Sequence, residues 1–391
     1  MKTTTLRSFV KSSKGIYVLV ISCFLITMAC NTKVKSSGST DSMKVANSSM
    51  AAGDSLTNNK SDLKPSGPKP DWAPTITPQM QVIIEKLVSY GDDPIVKLSA
   101  PEARKTHSPA DAVMDLIKEN NITVSPSKVD TTGKNIAVQG GNIHLRIYTP
   151  KSGNGPFPVI VYYHGGGWVI ANLDTYHASA QALAEQTGAV LVSVAYRQAP
   201  EYKFPTAHND SFAAYMWVLD NAVSIKGDPK KVALVGESAG GNLAAAVSLM
   251  AKEKNVAMPI HQVLVYPIAG NDSNTESYKK YANAKPLNKP LMEWFFAKYL
   301  PTPQTGNNKF INLIGADLKG MPATTIINAE IDPLQTEGAT LTAKFKSAGV
   351  PVNHKLYTGV THEFFGMSAI LPEAKEAQAF AASELNSAFA K

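Results

Sequence analysis

Cysteine is nearly missing from this chain. Its only two, Cys23 and Cys30, both lie within the first thirty residues. The body that follows can form no internal disulfide, and it contains neither a thiolate metal site nor a cysteine nucleophile. A chain of this size can rely on its own apolar core, so the lack of disulfides is no obstacle to stability even in an oxidising compartment. A net charge of one sign is lacking as well. The formal charge of +7 comes from the basic leader up to Cys30 and from a lysine-containing stretch over residues 31–70, which leaves residues 71–391 balanced. A balanced body offers no electrostatic footprint for nucleic acid. Long hydrophobic runs are also scarce. The longest, "GIYVLVISCFLITMA" from Gly15 to Ala29, has fifteen residues, fewer than the roughly 20 a membrane-spanning helix needs.

What precedes that run gives it a meaning. Lys2, Arg7, Lys11 and Lys14 form a basic n-region before an apolar h-region, the arrangement of an export signal over residues 1–30. "ITMAC" resembles the lipobox of bacterial lipoprotein signal peptides, with Ala29 as the small residue before Cys30, although Thr27 and Met28 depart from the usual pattern. The resemblance implies that Cys30 is acylated and becomes the first mature residue, anchoring the protein to a membrane with its body facing the periplasm or the exterior. Residues 31–70 are rich in Ser, Lys and Asn with few large apolar side chains, and read as a disordered linker.

The remaining residues, 71–391, read as one α/β unit. Two capped helical patterns come first, "TPQMQVIIEKLVSYG" and "SPADAVMDLIKEN", and suggest a helical cap over about 71–125. "KNIAVQG" and "NIHLRIYTP" follow as a hairpin turning at "QGGN". Beyond Pro156, apolar runs at Val159–Tyr163, Val190–Ala195, Val232–Val235, Gln262–Tyr266, Thr324–Ala329 and Val352–Tyr357 alternate with helical stretches. That alternation predicts a mainly parallel sheet of about eight strands flanked by helices. "PLNKPLMEWFFAKYLP" interrupts the rhythm as an aromatic helix, either ordinary packing or part of a lid.

Chemistry concentrates at strand ends. In "VALVGESAGGNLAAAVSLM" an apolar strand runs into small residues and then a helix, with Ser238 between Gly236 and Gly240. This G-x-S-x-G pattern is a nucleophile elbow, in which a strained turn exposes the serine hydroxyl and bulky neighbours cannot fit. Neither a P-loop lysine nor G-x-G-x-x-G spacing accompanies it, which argues against nucleotide binding. A serine nucleophile needs a base, and the base needs an orienting acid. Asp332 in "TTIINAEIDPLQTEG" and His362 in "HKLYTGVTHEFFG" follow the last two strands, in the order acid then histidine. Gly165 and Gly166 in "YYHGGGWVIA", with Ala239 after the serine, are placed to supply backbone N–H groups to a developing oxyanion.

Together "HGGGW", "GESAGGNLA", "YRQAPEYKFP", "DPLQTEG" and "GVTHEFF" resemble, in order, the blocks of the hormone-sensitive-lipase-like family of bacterial esterases, an α/β-hydrolase family; "SAPEAR" resembles part of its N-terminal cap. The resemblance implies an α/β-hydrolase fold, hydrolysis of short to medium acyl carboxylic esters by a Ser238–Asp332–His362 triad, a small-molecule ester as partner, and no metal or organic cofactor. Three departures stand out. Ala195 replaces the family's Asp before Tyr196, Gln335 and Thr336 replace Arg and Asp, and Glu363 follows His362 where the family has Gly. A carboxylate at 363 favours the imidazolium form of His362 and predicts an activity onset shifted to higher pH.

Trp168, Tyr196 and Phe365 read as pocket walls, with plain core as the alternative. His164 and Glu237 read as supports for the glycine loop and the elbow, and His208 as packing at a helix start. The same machinery would serve an amidase or a deacetylase acting on acylated sugars or amines. A non-catalytic binding protein on the same scaffold is the alternative of another class, and retention of all three triad residues argues against it.

Overall fold

The computed structural model describes residues 63–391, so the stretch read as an export signal, Cys30 and most of the stretch read as linker lie outside the described residues. Residues 63–70, the end of the stretch read as linker, carry defined hydrogen bonds. The amide N–H groups of Ser66 and Gly67 donate to the carboxylate of Glu85, and the buried Gln81 side chain donates to the carbonyls of Gly67 and Pro68. Ser66, Gly67 and Pro68 are therefore tied to α1, within the stretch read as linker.

The N-terminal elements are helical: α1 (Pro78–Ser89), the short α2 (Ala100–Ala103) and α3 (Pro109–Glu119). Pro78 sits in the first turn of α1, while Met80, Ile83 and Ile84 bury one stripe, and the chain turns out at Gly91 with φ 71°. In α3, Ser108 and Asp111 cap each other's backbone in a capping box.

The hairpin β1 (Val129–Val138) and β2 (Gly141–Pro150) follows, then β3 (Phe157–Tyr163), α4 (His177–Thr187), β4 (Val190–Ala195), α5 (Thr206–Asn221), β5 (Gly227–Glu237) and α6 (Ala239–Glu253). The chain ends with β6 (Gln262–Val265), α7 (Glu276–Lys280), α8 (Lys289–Tyr299), β7 (Thr324–Ile331), α9 (Gln335–Ser347), β8 (Val352–Thr361) and α10 (Pro372–Phe389). The eight strands form one sheet in the order β1-β2-β4-β3-β5-β6-β7-β8. β1–β2 and β2–β4 pair antiparallel, and every pair from β4–β3 to β7–β8 is parallel. This is the α/β architecture the strand–helix alternation predicts.

Alternation along the strands builds two cores. Val159, Val161 and Tyr163 of β3 face one side, with residues of α5, α6, α8 and α9. Ile160 and Tyr162 face the other, with residues of α1, α3, α4 and α10. Helix α6 is buried along nearly its whole length, which its run of Ala, Gly and Leu permits. After β3 the chain steps out to β4 and then crosses back to β5 on the opposite side of β3, so the connections diverge between β3 and β5. Such a switch point leaves a crevice beyond the carboxyl ends of the strands, where ligands of open α/β sheets bind. Ser238 follows β5 and the glycine loop follows β3, at the two edges of that crevice.

Candidate active site

The turn at Ser238 explains the glycines around it. Ser238 adopts φ 56° and ψ −118°, a conformation that costs a non-glycine residue on the order of 1–3 kcal/mol. Three hydrogen bonds hold it there: its N–H donates to Val265 O (2.9 Å), and its carbonyl accepts from Asn242 N–H (3.1 Å) and Ile268 N–H (3.2 Å). A Cβ at Gly236 would lie 2.0 Å from the carbonyl oxygen of Gly240, and one at Gly240 would lie 1.9 Å from that of Tyr163. Strand, turn and helix close on one another too tightly for any side chain at either position.

Residues distant in sequence meet at this point. His362 Nδ1 lies 2.6 Å from Asp332 Oδ2, and His362 Nε2 lies 2.9 Å from Ser238 Oγ. With Nδ1–H donating to the carboxylate, Nε2 is left to accept from the serine hydroxyl. Asp332 is itself oriented, its Oδ1 accepting from Leu334 N–H at 2.8 Å. All three side chains are buried. Burial by itself pushes the His362 imidazole down, but the charge and hydrogen bond of Asp332, followed by the charges of Glu363 and Glu237, raise it above the ordinary histidine value.

The glycine loop lies alongside. Gly166 and Gly167 take φ values of 92° and 59°, which glycine adopts freely. His164 Nδ1 donates to Gly165 O (2.8 Å), and the Tyr196 hydroxyl lies 2.9 and 3.1 Å from the carbonyls of His164 and Gly165. Burial lowers His164 to about 4, so the ring is neutral near pH 7. With these carbonyls engaged on one side, the N–H groups of Gly165, Gly166 and Ala239 donate to no acceptor among the described residues. They are free to act as donors to a ligand.

The three aromatic residues read as pocket walls are each buried, as the triad residues are. Trp168 is fully buried and stacks on Tyr299 of α8 with ring centroids 4.6 Å apart. Tyr196 supports the loop from beneath, and Phe365 belongs to the core on the α10 side. The aromatic helix α8 brings Phe295 against the glycine loop: a Cβ on Gly167 would lie 2.2 Å from its ring. His208 is buried in the first turn of α5, bonded to the Tyr299 hydroxyl and to Asn242, and burial lowers it to about 4. Among the described residues, no group of three or more His, Cys, Asp or Glu side chains is placed to hold a metal ion.

Sequence reasoning missed the tyrosines. Glu237, next to the serine, is buried and accepts from the hydroxyls of both Tyr162 and Tyr266. Burial, with a contribution from Glu363, raises its carboxyl to about 7. The Tyr266 ring packs 4.4 Å from the His362 ring, and the Tyr176 hydroxyl donates to Glu363 at 2.6 Å. No spacing rule announces these residues, because each comes from a different strand or loop.

A serine at a strand–helix elbow, an aspartate and a histidine from the ends of the last two strands and a glycine loop at the switch point define an α/β hydrolase. The chain belongs to that family: residues 160–366 match the family model described as alpha/beta hydrolase fold. Among its relatives is carboxylesterase NlhH of Mycobacterium tuberculosis, 35% identical over 240 residues, 60% of this chain and 75% of the relative. Ethyl acetate hydrolase of Pseudomonas putida is 29% identical over 287 residues, 72% of this chain and 88% of the relative. Among solved structures, a hyperthermophilic esterase from the archaeon Pyrobaculum calidifontis superposes with a TM-score of 0.74 at 34% identity, covering 80% of this chain and 98% of that one.

Proposed function

We propose that this hydrolase cleaves carboxylic esters of short to medium acyl chain through an acyl-enzyme formed on Ser238. The observation that carries the reading is the unbroken hydrogen-bonded line Ser238–His362–Asp332 at 2.9 and 2.6 Å, beside three unused backbone N–H groups. The relatives support the ester as the bond attacked, since those described above are a carboxylesterase, an ethyl acetate hydrolase and an esterase.

In this mechanism His362 Nε2 takes the proton of Ser238 as Oγ attacks the carbonyl carbon. The tetrahedral oxyanion is held by the N–H groups of Gly165, Gly166 and Ala239, and Asp332 stabilises the imidazolium and fixes its tautomer. The alcohol leaves with the proton from His362. Water then attacks the acyl-enzyme, giving its proton to His362, and the acid departs as Ser238 regains a proton. The strained φ of Ser238 keeps its hydroxyl aimed at the imidazole throughout, so little reorganisation accompanies attack. Ser238→Ala is expected to abolish turnover of p-nitrophenyl esters without loss of fold, and a fluorophosphonate probe is expected to label wild-type Ser238. Full activity in the variant would remove the proposal.

The export signal and the lipobox-like "ITMAC" support a second element of the same reading, an enzyme acylated at Cys30 and held at a membrane surface. Mass spectrometry of the mature N-terminus from a bacterial expression host tests it: an unmodified residue other than Cys30 at the terminus would rule it out.

A further inference from the structure

Glu363 stands in the left-handed region at φ 71°, where glycine is favoured and a side chain is a cost. A strained residue next to the candidate base calls for a reason. Its Oε1 accepts from the Tyr176 hydroxyl at 2.6 Å and lies 3.8 Å from His362 Nε2, the nitrogen that faces Ser238. The same Tyr176 hydroxyl presses on the glycine loop, since a Cβ on Gly165 would lie 2.1 Å from it. One hydroxyl therefore touches both the oxyanion loop after β3 and the carboxylate that attends the imidazole after β8.

We propose that Tyr176 and Glu363 are a positioning pair, which fixes the glycine loop relative to His362 and presents a second carboxylate to the imidazolium on its Nε2 side. The inference rests on the esterase reading and deepens it. Asp332 engages Nδ1, so the cation formed when Ser238 gives up its proton lies between two negative groups. Glu363 takes no proton in this scheme; it acts through His362. Tyr176 keeps its carboxylate in place: burial pushes Glu363 up, while the charge of His362 and the Tyr176 hydroxyl work against that rise.

Other titratable groups face this pair from neighbouring elements, among them the His164 ring, 5.9 Å from that of Tyr176 and neutral near pH 7. Glu237 approaches from β5 with its oxygens taken by Tyr162 and Tyr266, and Tyr266 covers the imidazole face. Tyr196 reaches the loop from the end of β4 and donates to its carbonyls. Glu237 is a further carboxylate that acts on His362, so it supplies the comparison.

The test is the pH dependence of kcat/KM for p-nitrophenyl acetate. Glu363→Gln keeps an acceptor for Tyr176 and removes the charge. It is expected to move the acid limb to lower pH, because the imidazole then loses its proton more easily, and to lower plateau kcat about tenfold with KM little changed. Glu363→Gly relieves the backbone strain, so it is expected to be no less stable than wild type while showing the same displaced limb. Tyr176→Phe is expected to lower kcat about tenfold, and the Tyr176→Phe, Glu363→Gln double variant to be no worse than the poorer single one. An acid limb unmoved in both Glu363 variants, or one moved only by Glu237→Gln, overturns the positioning pair alone if wild-type Ser238 is labelled by the fluorophosphonate. An unlabelled Ser238 overturns this proposal and the esterase reading together.

Discussion

Gly240 and Tyr163 meet backbone to backbone where the first turn of α6 passes the end of β3, so closely that a Cβ on Gly240 would lie 1.9 Å from the Tyr163 carbonyl oxygen. That contact fixes the distance between the two arms of the candidate site, since Tyr163 leads into the glycine loop and Gly240 follows Ser238. Gly240→Ala is therefore expected to displace main chain rather than a flexible side chain, with a loss of more than about 3 kcal/mol and of soluble active protein. Gly241→Ala, whose Cβ would meet Pro267 at 3.0 Å, is the milder comparison, expected to cost about 1–2 kcal/mol in urea unfolding. Equal stability of the two variants would contradict this account of the elbow.

Asp332→Asn tests the orienting acid. The amide is close in size to the carboxylate, so the fold should survive, but it no longer favours the Nδ1–H tautomer or the imidazolium. In Ser-His-Asp proteases the equivalent change costs about 10⁴ in kcat, and a loss of similar order is expected here in an ester assay. A loss below tenfold would mean that Asp332 does not orient His362 during turnover.

Arg104, at the end of α2, ties the N-terminal helical segment to the chain that follows the glycine loop. Its Nε donates to Val169 O (2.8 Å), Nη2 to Ala199 O (2.7 Å), and the guanidinium grips both oxygens of Glu201. A lysine cannot reproduce that planar set of donors. Arg104→Lys is expected to lower the melting temperature by a few degrees, corresponding to about 1–2 kcal/mol, and to reduce activity because Val169 adjoins the glycine loop. An unchanged melting curve would show that the N-terminal segment is held elsewhere.

Glu337 supplies a pH prediction away from the reacting groups. It is buried, its Oε2 accepts from the N–H groups of Ala269 and Gly270, and burial raises its carboxyl to about 7. A carboxyl with a raised folded-state pKa contributes stability that is complete below its unfolded value of 4.5 and is lost as pH rises through about 7. Wild type is therefore expected to lose about 2 kcal/mol more than Glu337→Gln between pH 5 and pH 8, most of it between pH 5 and pH 7. The neutral buried histidines His164 and His208 act in the opposite direction, but they are common to both proteins and cancel in the comparison. Parallel pH profiles of urea midpoints would refute it.

The residues of the candidate triad were legible because each carries a local signal. Ser238 lies in a run of small residues between an apolar strand and a helix, and Asp332 and His362 each follow an apolar strand in the order the fold requires. The supporting shell has no such signal. Tyr162, Tyr176 and Tyr266 look in sequence like any other tyrosine, and their joint role depends on the sheet bringing β3, the start of α4 and the end of β6 around two glutamates. Trp168 and Phe365 show the converse. Aromatic residues beside motifs suggest a pocket wall, but whether a ring faces a cavity or the core depends on neighbours such as Tyr299 that lie far along the chain. The end of the stretch read as linker makes the same point: the hydrogen bonds from Ser66 and Gly67 to Glu85 of α1 have no signal in polar composition.

By itself, then, the sequence determined what local periodicity and steric need can write. It set the alternating strands and helices, the places where only glycine fits, and the residue types poised at strand ends. Tertiary structure alone decided which hydroxyls surround Glu237 and Glu363, and that the Tyr176 hydroxyl lies between the glycine loop and Glu363. Those relations depend on distances between separate strands, which the packing of two cores on one twisted sheet sets and no short stretch of chain encodes.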